Sequence, residues 1–219
     1  MFSSLLAHRR YIYGLMIDFE LSDLYESYMA ADKYLLHHFS EAFFEYVKGR
    51  LNADSSCLIY DQLVKIGEGE EISLPEVRTM IIENSKKTLE SEHFTQIDQE
   101  TLISLLSLDE LSVDENDLVA AVSKWVDCEV QRQGLVVNLE NQRKVFEPIK
   151  GYVLFTALAP EKISNCKEIA KLLTLEERGS LVLHVLNKEH PWIELKSPRK
   201  AGSGVRSVFV ADSTHVGAY

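Results

Sequence analysis

The chain has 219 residues, 46% of them hydrophobic and 26% charged, with ten glycines and five prolines. That is an ordinary globular composition, long enough for a real core and poor in the turn residues of a β-sandwich. A formal net charge of −11 excludes a nucleic-acid binder, which needs a basic face, and an anionic-membrane binder. Cys57, Cys128 and Cys166 are far apart with no CxxC, which signals neither a disulfide framework nor a zinc site and favours a reducing compartment. The first sixteen residues, MFSSLLAHRRYIYGLM, carry their charges mid-stretch and make a poor signal peptide. No run approaches the roughly 20 apolar residues of a membrane span. The expectation is a soluble protein of the cytoplasm or nucleus.

In chain order, Phe2 to Tyr13 reads as a helix ended by Gly14. Ser22 begins a second helix, with Leu24, Tyr28, Ala31 and Leu35 on one face. A third, His37 to Leu51, carries Phe39, Phe43, Tyr46 and Val47. Ser55 to Ile66 follows, with Leu58, Ile59, Leu63 and Val64 apolar, then a Gly67–Glu71 loop. Ser73, Pro75 and Glu76 start a helix to about Ser91 that should bury Val77, Met80, Ile81 and Leu89.

The stretch from His93 to Gly134 has the clearest pattern. Asp98 to Leu108 forms one helix, capped by Asp98, with Leu102, Leu105 and Leu106 on one side. Ser112 with Glu115 at capping-box spacing, or Asp114 as a rival cap, starts the next. Leu118, Val122, Trp125, Val126 and Glu129 then recur at three and four residues, and Gly134 stops the helix. Further helices are expected over Glu140–Ile149 and Pro160–Leu173, with Tyr152–Ala157 extended or turning between them. A Thr174–Glu177 capping box opens Leu175–Leu186. Past Asn187, KSPRKAGSG has linker composition and Val205–Ala211 could supply one strand. The expected fold is all-α: antiparallel helix hairpins stacked side by side, with an irregular tail.

The candidate chemistry dissolves on inspection. His37 and His38 are adjacent, so on a helix they point about 100° apart and do not chelate as an i, i+4 pair does. Gly67-Glu-Gly69 and Gly202-Ser-Gly204 lack the third glycine and Lys-Ser/Thr of a phosphate loop. Cys128 lies between Asp127 and Glu129, an unfavourable setting for a reactive thiolate. Glu115 and Asp117 read as cap and helix-dipole compensation, and Trp125 as core. No catalytic, cofactor-binding or metal residue is expected, and no enzyme.

Leu111-Ser112-Val113-Asp114-Glu115, followed by a helix with Ala121, Trp125 and Val126, resembles the BACK domain that follows BTB/POZ domains. Asn141–Leu154 and Leu173–Leu186 resemble later helices of that domain. Tyr11-Ile12-Tyr13-Gly14 and Ala30-Ala31-Asp32-Lys33-Tyr34 resemble motifs in the last helices of a BTB domain, the first lacking one Thr. The likeness is greatest to the BTB–BACK–PHR group of cullin-3 ubiquitin-ligase adaptors. It implies residues 1–51 as the C-terminal helical part of a BTB domain, 52–187 as BACK, and 188–219 as a linker or start of a PHR domain. It implies a cullin-facing corner at Tyr13, Tyr34, Leu35, Leu36, His37 and His38, and no cofactor. The partners implied are a cullin-3-type scaffold and an unnamed protein substrate, with neither nucleic acid nor membrane. The strand-rich BTB half that carries most of the dimer interface has no counterpart in residues 1–51. The chain is therefore expected to be a truncated adaptor, homodimeric only where a complete BTB domain is present. The alternative is a helical scaffold without a ligase, competing with longer relatives.

Overall fold

The computed structural model describes residues 20–33, 39–66, 74–108, 110–111, 113–187 and 196. All regular elements among the described residues are helical. A 3₁₀ turn (Leu21–Asp23) leads into α1 (Leu24–Lys33), and α2 (Phe39–Arg50) follows. Next come α3 (Ser56–Ile66), α4 (Leu74–Glu83), α5 (Ser85–Glu90), a 3₁₀ segment (Glu92–Gln96) and α6 (Gln99–Leu106). The long α7 (Glu115–Arg132) and α8 (Leu139–Phe146) precede two 3₁₀ turns, Lys150–Tyr152 and Phe155–Ala157. The last elements are α9 (Pro160–Asn165), α10 (Lys167–Leu172) and α11 (Leu175–Leu186). The expected Phe2–Tyr13 helix, Gly67–Glu71 loop, Ser73 cap and Val205–Ala211 strand lie outside the described residues.

Two helices organise the core. Nine of the eleven residues of α3 are buried, including Asp61 and Gln62, so it is a hub rather than an amphipathic surface helix. It packs against α1, α4, α6 and the Glu92–Gln96 turn. The expected apolar set there needs one correction: Val64 is 41% exposed, while Cys57, Tyr60 and Asp61 are buried. The second helix, α7, buries Leu118, Val122, Trp125 and Val126 as its periodicity predicts. It contacts the Glu92–Gln96 turn and α5 on one side and α8 and α10 on the other, joining the two halves of the stack.

The helix ends follow local chemistry. Asp114 is the cap of α7, its carboxylate accepting from Asn116 N–H at 2.7 Å; Ser112 lies outside the described residues. Gly134 at φ 70 ends α7. Leu135 N–H then reaches the Val130 carbonyl at 3.0 Å and Gly134 N–H that of Gln131 at 2.9 Å, a Schellman motif. Thr174 and Glu177 form the full capping box of α11. Asp98 makes no side-chain cap bond; its carboxylate meets Lys65 at 2.9 Å instead.

Two expected helices are each two. The Ser73–Ser91 helix breaks at Asn84 (φ −118, ψ 26), where the side-chain amide bonds the Met80 carbonyl at 3.0 Å. The break turns α5 so that Thr88 donates to the Ala53 carbonyl and Ser91 to that of Asp54. The Pro160–Leu173 helix breaks at Cys166, whose extended backbone (φ −74, ψ 125) ends α9 and starts α10. Both breaks let short helices fold onto the core instead of running past it.

Candidate functional site

The six residues expected to face a cullin, Tyr13, Tyr34, Leu35, Leu36, His37 and His38, lie outside the described residues. Their flanks are described. Helix α1 ends at Lys33 and α2 begins at Phe39. Leu24, Ala31, Phe43 and Val47 are buried. Tyr28 packs against Phe43 with ring centroids 5.3 Å apart and the rings tilted by 56°, and Tyr25 N–H donates to Gln62 Oε1 on the hub at 3.3 Å. These contacts seat α1 on α3.

Polar joints then tie one helix layer to the next. Buried Asp61 accepts from Asp98 N–H at 2.9 Å, Lys65 Nζ at 2.7 Å and Gln62 Nε2 at 3.1 Å. Burial works to lower Lys65, but the Asp61 and Asp98 carboxylates outweigh it and hold the ammonium above its ordinary value. Trp125 Nε1 donates to the Ile97 carbonyl at 2.8 Å, and Arg132 donates to the same oxygen at 3.3 Å and to the Thr95 carbonyl at 2.5 Å. On the other side of α7, Asp127 accepts from Lys171 and Gln142, each at 2.6 Å. Lys150, 7% exposed, pairs with Glu147 and with Glu177 of the capping box, the latter at 2.7 Å. Burial pushes Glu177 up, yet Lys150 and the Thr174 backbone N–H hold it below the usual carboxylate range.

These joints are sequence-distant, and periodicity misses them. The available signal is a charged i, i+4 pair, Asp61 and Lys65, inside an otherwise apolar run.

Among the described residues no cluster of His, Cys, Asp and Glu is set to hold a metal ion. Burial pushes the Cys57 thiol up to about 12. Burial, then the bond to Glu168, raise Cys166 as well, away from a nucleophilic thiolate. No described helix is long and apolar enough to cross a membrane. Open surface features remain: an extended apolar run after α7, where Val136 is 74% exposed, and a hollow of about 500 Å³ between α7, α9 and α10.

The comparisons give the class: residues 71–145 match the family described as BACK, BTB And C-terminal Kelch. Over 201 residues the chain is 27% identical to BTB/POZ domain-containing protein 3 of Mus musculus, covering 91% of this chain and 37% of that protein. Its Homo sapiens counterpart matches at the same identity. BTB/POZ domain-containing protein 6 of Xenopus tropicalis is 26% identical over 193 residues, 88% of this chain and 36% of that protein. No solved structure matches the chain. Residues 71–145 thus resemble a BACK domain, and the chain as a whole is similar to BTB/POZ-domain proteins. It spans little more than a third of the length of the curated relatives it matches.

Proposed function

We propose that this chain works as the spacer of a substrate adaptor for a cullin-3-type RING ubiquitin ligase, in the cytoplasm or nucleus. BTB–BACK proteins are generally adaptors rather than enzymes. In this reading residues 1–51 belong to a BTB domain, 52–187 are BACK, and the corner at Tyr13 and Tyr34–His38 faces the cullin. Such a protein performs no reaction. It grips a scaffold at one end and a substrate at the other, and the tether raises the local concentration of substrate lysines. The observation that carries it is the seating of α1 on α3 through the Tyr25–Gln62 bond, with α2 packed on α1 through Tyr28 and Phe43. A cullin grip on the first helices would then be passed rigidly into the BACK stack.

The test is a pull-down with the purified N-terminal region of cullin-3, using this chain and a version extended by a complete BTB first half. Capture of both, weakened about tenfold or more by Tyr34→Ala with Leu35→Ala and Leu36→Ala, supports the reading. Capture of the extended version alone would make this chain a competitor or scaffold and not an adaptor. That second reading is favoured by one observation, the exposed apolar run Leu135-Val136-Val137-Asn138-Leu139. Silence in ubiquitination assays, together with capture of defined partners, would establish it.

A further inference from the structure

Past α11 the described chain touches the stack at one further point: Lys196 N–H donates to the Gly151 carbonyl at 2.8 Å. Gly151 follows Lys150, whose ammonium reaches Glu177 in the first turn of α11 at 2.7 Å. The bond therefore lies beside the N-terminal end of that helix, whereas Asn187 closes its other end. From Glu177 to Asn187 is about 15 Å at 1.5 Å per residue. The chain from Asn187 to Lys196 reaches about 30 Å fully extended, enough to return along α11 with little left for a detour around the stack. Helical spacing fixes the side it takes. At about 100° per residue, Ser180, Leu183 and Asn187 share one flank of α11, next to the face of Glu177, and Leu175 and Leu186 point the other way. Leu183 is 51% exposed on that flank. The returning residues, 188–195, lie outside the described residues. Their sequence is KEHPWIEL, with Pro191, Trp192, Ile193 and Leu195 apolar.

We infer that the Ser180–Leu183–Asn187 flank of α11 is a docking surface for the chain's own residues 188–195, which run antiparallel to the helix. Trp192, midway along the return, comes level with Ser180 and Leu183, and with Ile193 it covers the Leu183 side chain. A free partner or a second copy fits this flank poorly. One leucine offers little beside the roughly 800 Å² per partner of a stable interface, whereas a tethered segment docks at high effective concentration. The consequence is a fixed exit. A chain leaving from the end of α11 could swing; one docked along the helix and bonded at Gly151 leaves from the Lys150–Tyr152 turn in a set direction. For the proposed spacer, this places the point from which any following segment departs. The inference rests on α11 and the Lys196–Gly151 bond, not on the cullin reading.

The test is hydrogen exchange on the full chain, read by mass spectrometry. Amides of residues 188–196 should exchange about tenfold or more slowly than an unstructured chain of the same sequence. Trp192→Ala with Ile193→Ala should return them to the unstructured rate, and so should Leu183→Asp, which alters only the opposite side of the contact. Lys196→Pro removes the donated N–H and should speed exchange there as well. Leu183 and Lys196 are exposed, and unchanged protection of α7 in each variant shows that the stack remains folded. Exchange of 188–196 at the unstructured rate in the unaltered chain would overturn the proposal. So would protection indifferent to Leu183→Asp, which puts the segment elsewhere, or protection that grows with protein concentration, which gives the flank to a second copy. No cullin enters these readouts, so failure here leaves the pull-down untouched, and the reverse.

Discussion

Trp125 and Arg132 donate to one oxygen, the Ile97 carbonyl, at 2.8 and 3.3 Å, and this makes their effects on stability non-additive. Trp125 is fully buried. An aromatic of this kind buries about 200 Å², so truncation to alanine would cost roughly 4–5 kcal/mol, close to the whole stability of many domains. Trp125→Phe is the sharper change, because it keeps most of the ring and removes the donor. With Arg132 still serving the carbonyl, it should cost about 1–2 kcal/mol, from the smaller ring and one lost bond. In an Arg132→Ala background the same change leaves Ile97 without either donor in a buried setting, and the cost should rise by about 1 kcal/mol. Urea unfolding of the four proteins, followed by tryptophan-independent circular dichroism, gives the cycle. A coupling within error of zero would show that the two side chains do not share the oxygen. It would remove the joint between α7 and the turn before α6.

Two further changes test the joints elsewhere. Gly134→Ala places a Cβ at φ 70, so it should destabilise by about 1 kcal/mol although nothing lies within 4 Å of the new atom; thermal melting reads it, and a neutral result would place the helix stop elsewhere. Glu177 is held below its ordinary value of 4.5, so its share of stability is present above that pH and fades as pH falls through the depressed folded value. Lys150, raised above 10.5, gives the mirror case: its share is present below that value and fades only as pH rises past it. Glu177→Gln keeps an acceptor for the capping box but not the charge, so urea midpoints should fall at pH 7 and lose slope between about pH 4.5 and acid unfolding. An unchanged acid slope would refute the Lys150–Glu177 assignment.

Where the physics is local, the sequence is a good guide. The α7 stripe, the Gly134 stop and the Thr174–Glu177 box depend on residues within a turn or two of each other, and each stands where its spacing places it. Val64 and Asp61 show the opposite case. The apolar set named Val64 and passed over Asp61, but α3 is surrounded by neighbours that bury Asp61 and leave Val64 41% exposed. Asp61 is buried because Asp98 N–H, Lys65 and Gln62 all converge on it from another part of the chain or its own next turn. Asp98 is misread for the same reason: a good capping residue was claimed by a distant lysine. The breaks at Asn84 and Cys166 carry no glycine or proline and follow from tertiary docking.

The joints share a design that bears on the proposed spacer role. Between layers, apolar packing alone fixes distance but permits sliding, because dispersion contacts reform after a small shift. A directional bond does not reform until the register is right. Here such a bond sits at successive junctions: Tyr25 to Gln62, Asp61 to Asp98, Trp125 and Arg132 to Ile97, Lys171 to Asp127, Arg143 to the Ala170 and Leu173 carbonyls, Lys150 to Glu177, and Arg178 to the Ser164 carbonyl. Half-exposed pairs such as Lys171–Asp127 contribute little stability in water, so their value lies in angle. A stack that only needed to be stable could have used leucine at these places. The proposed spacer, which would present two proteins to each other at a set orientation, would need register at each layer, because small angular errors accumulate along it.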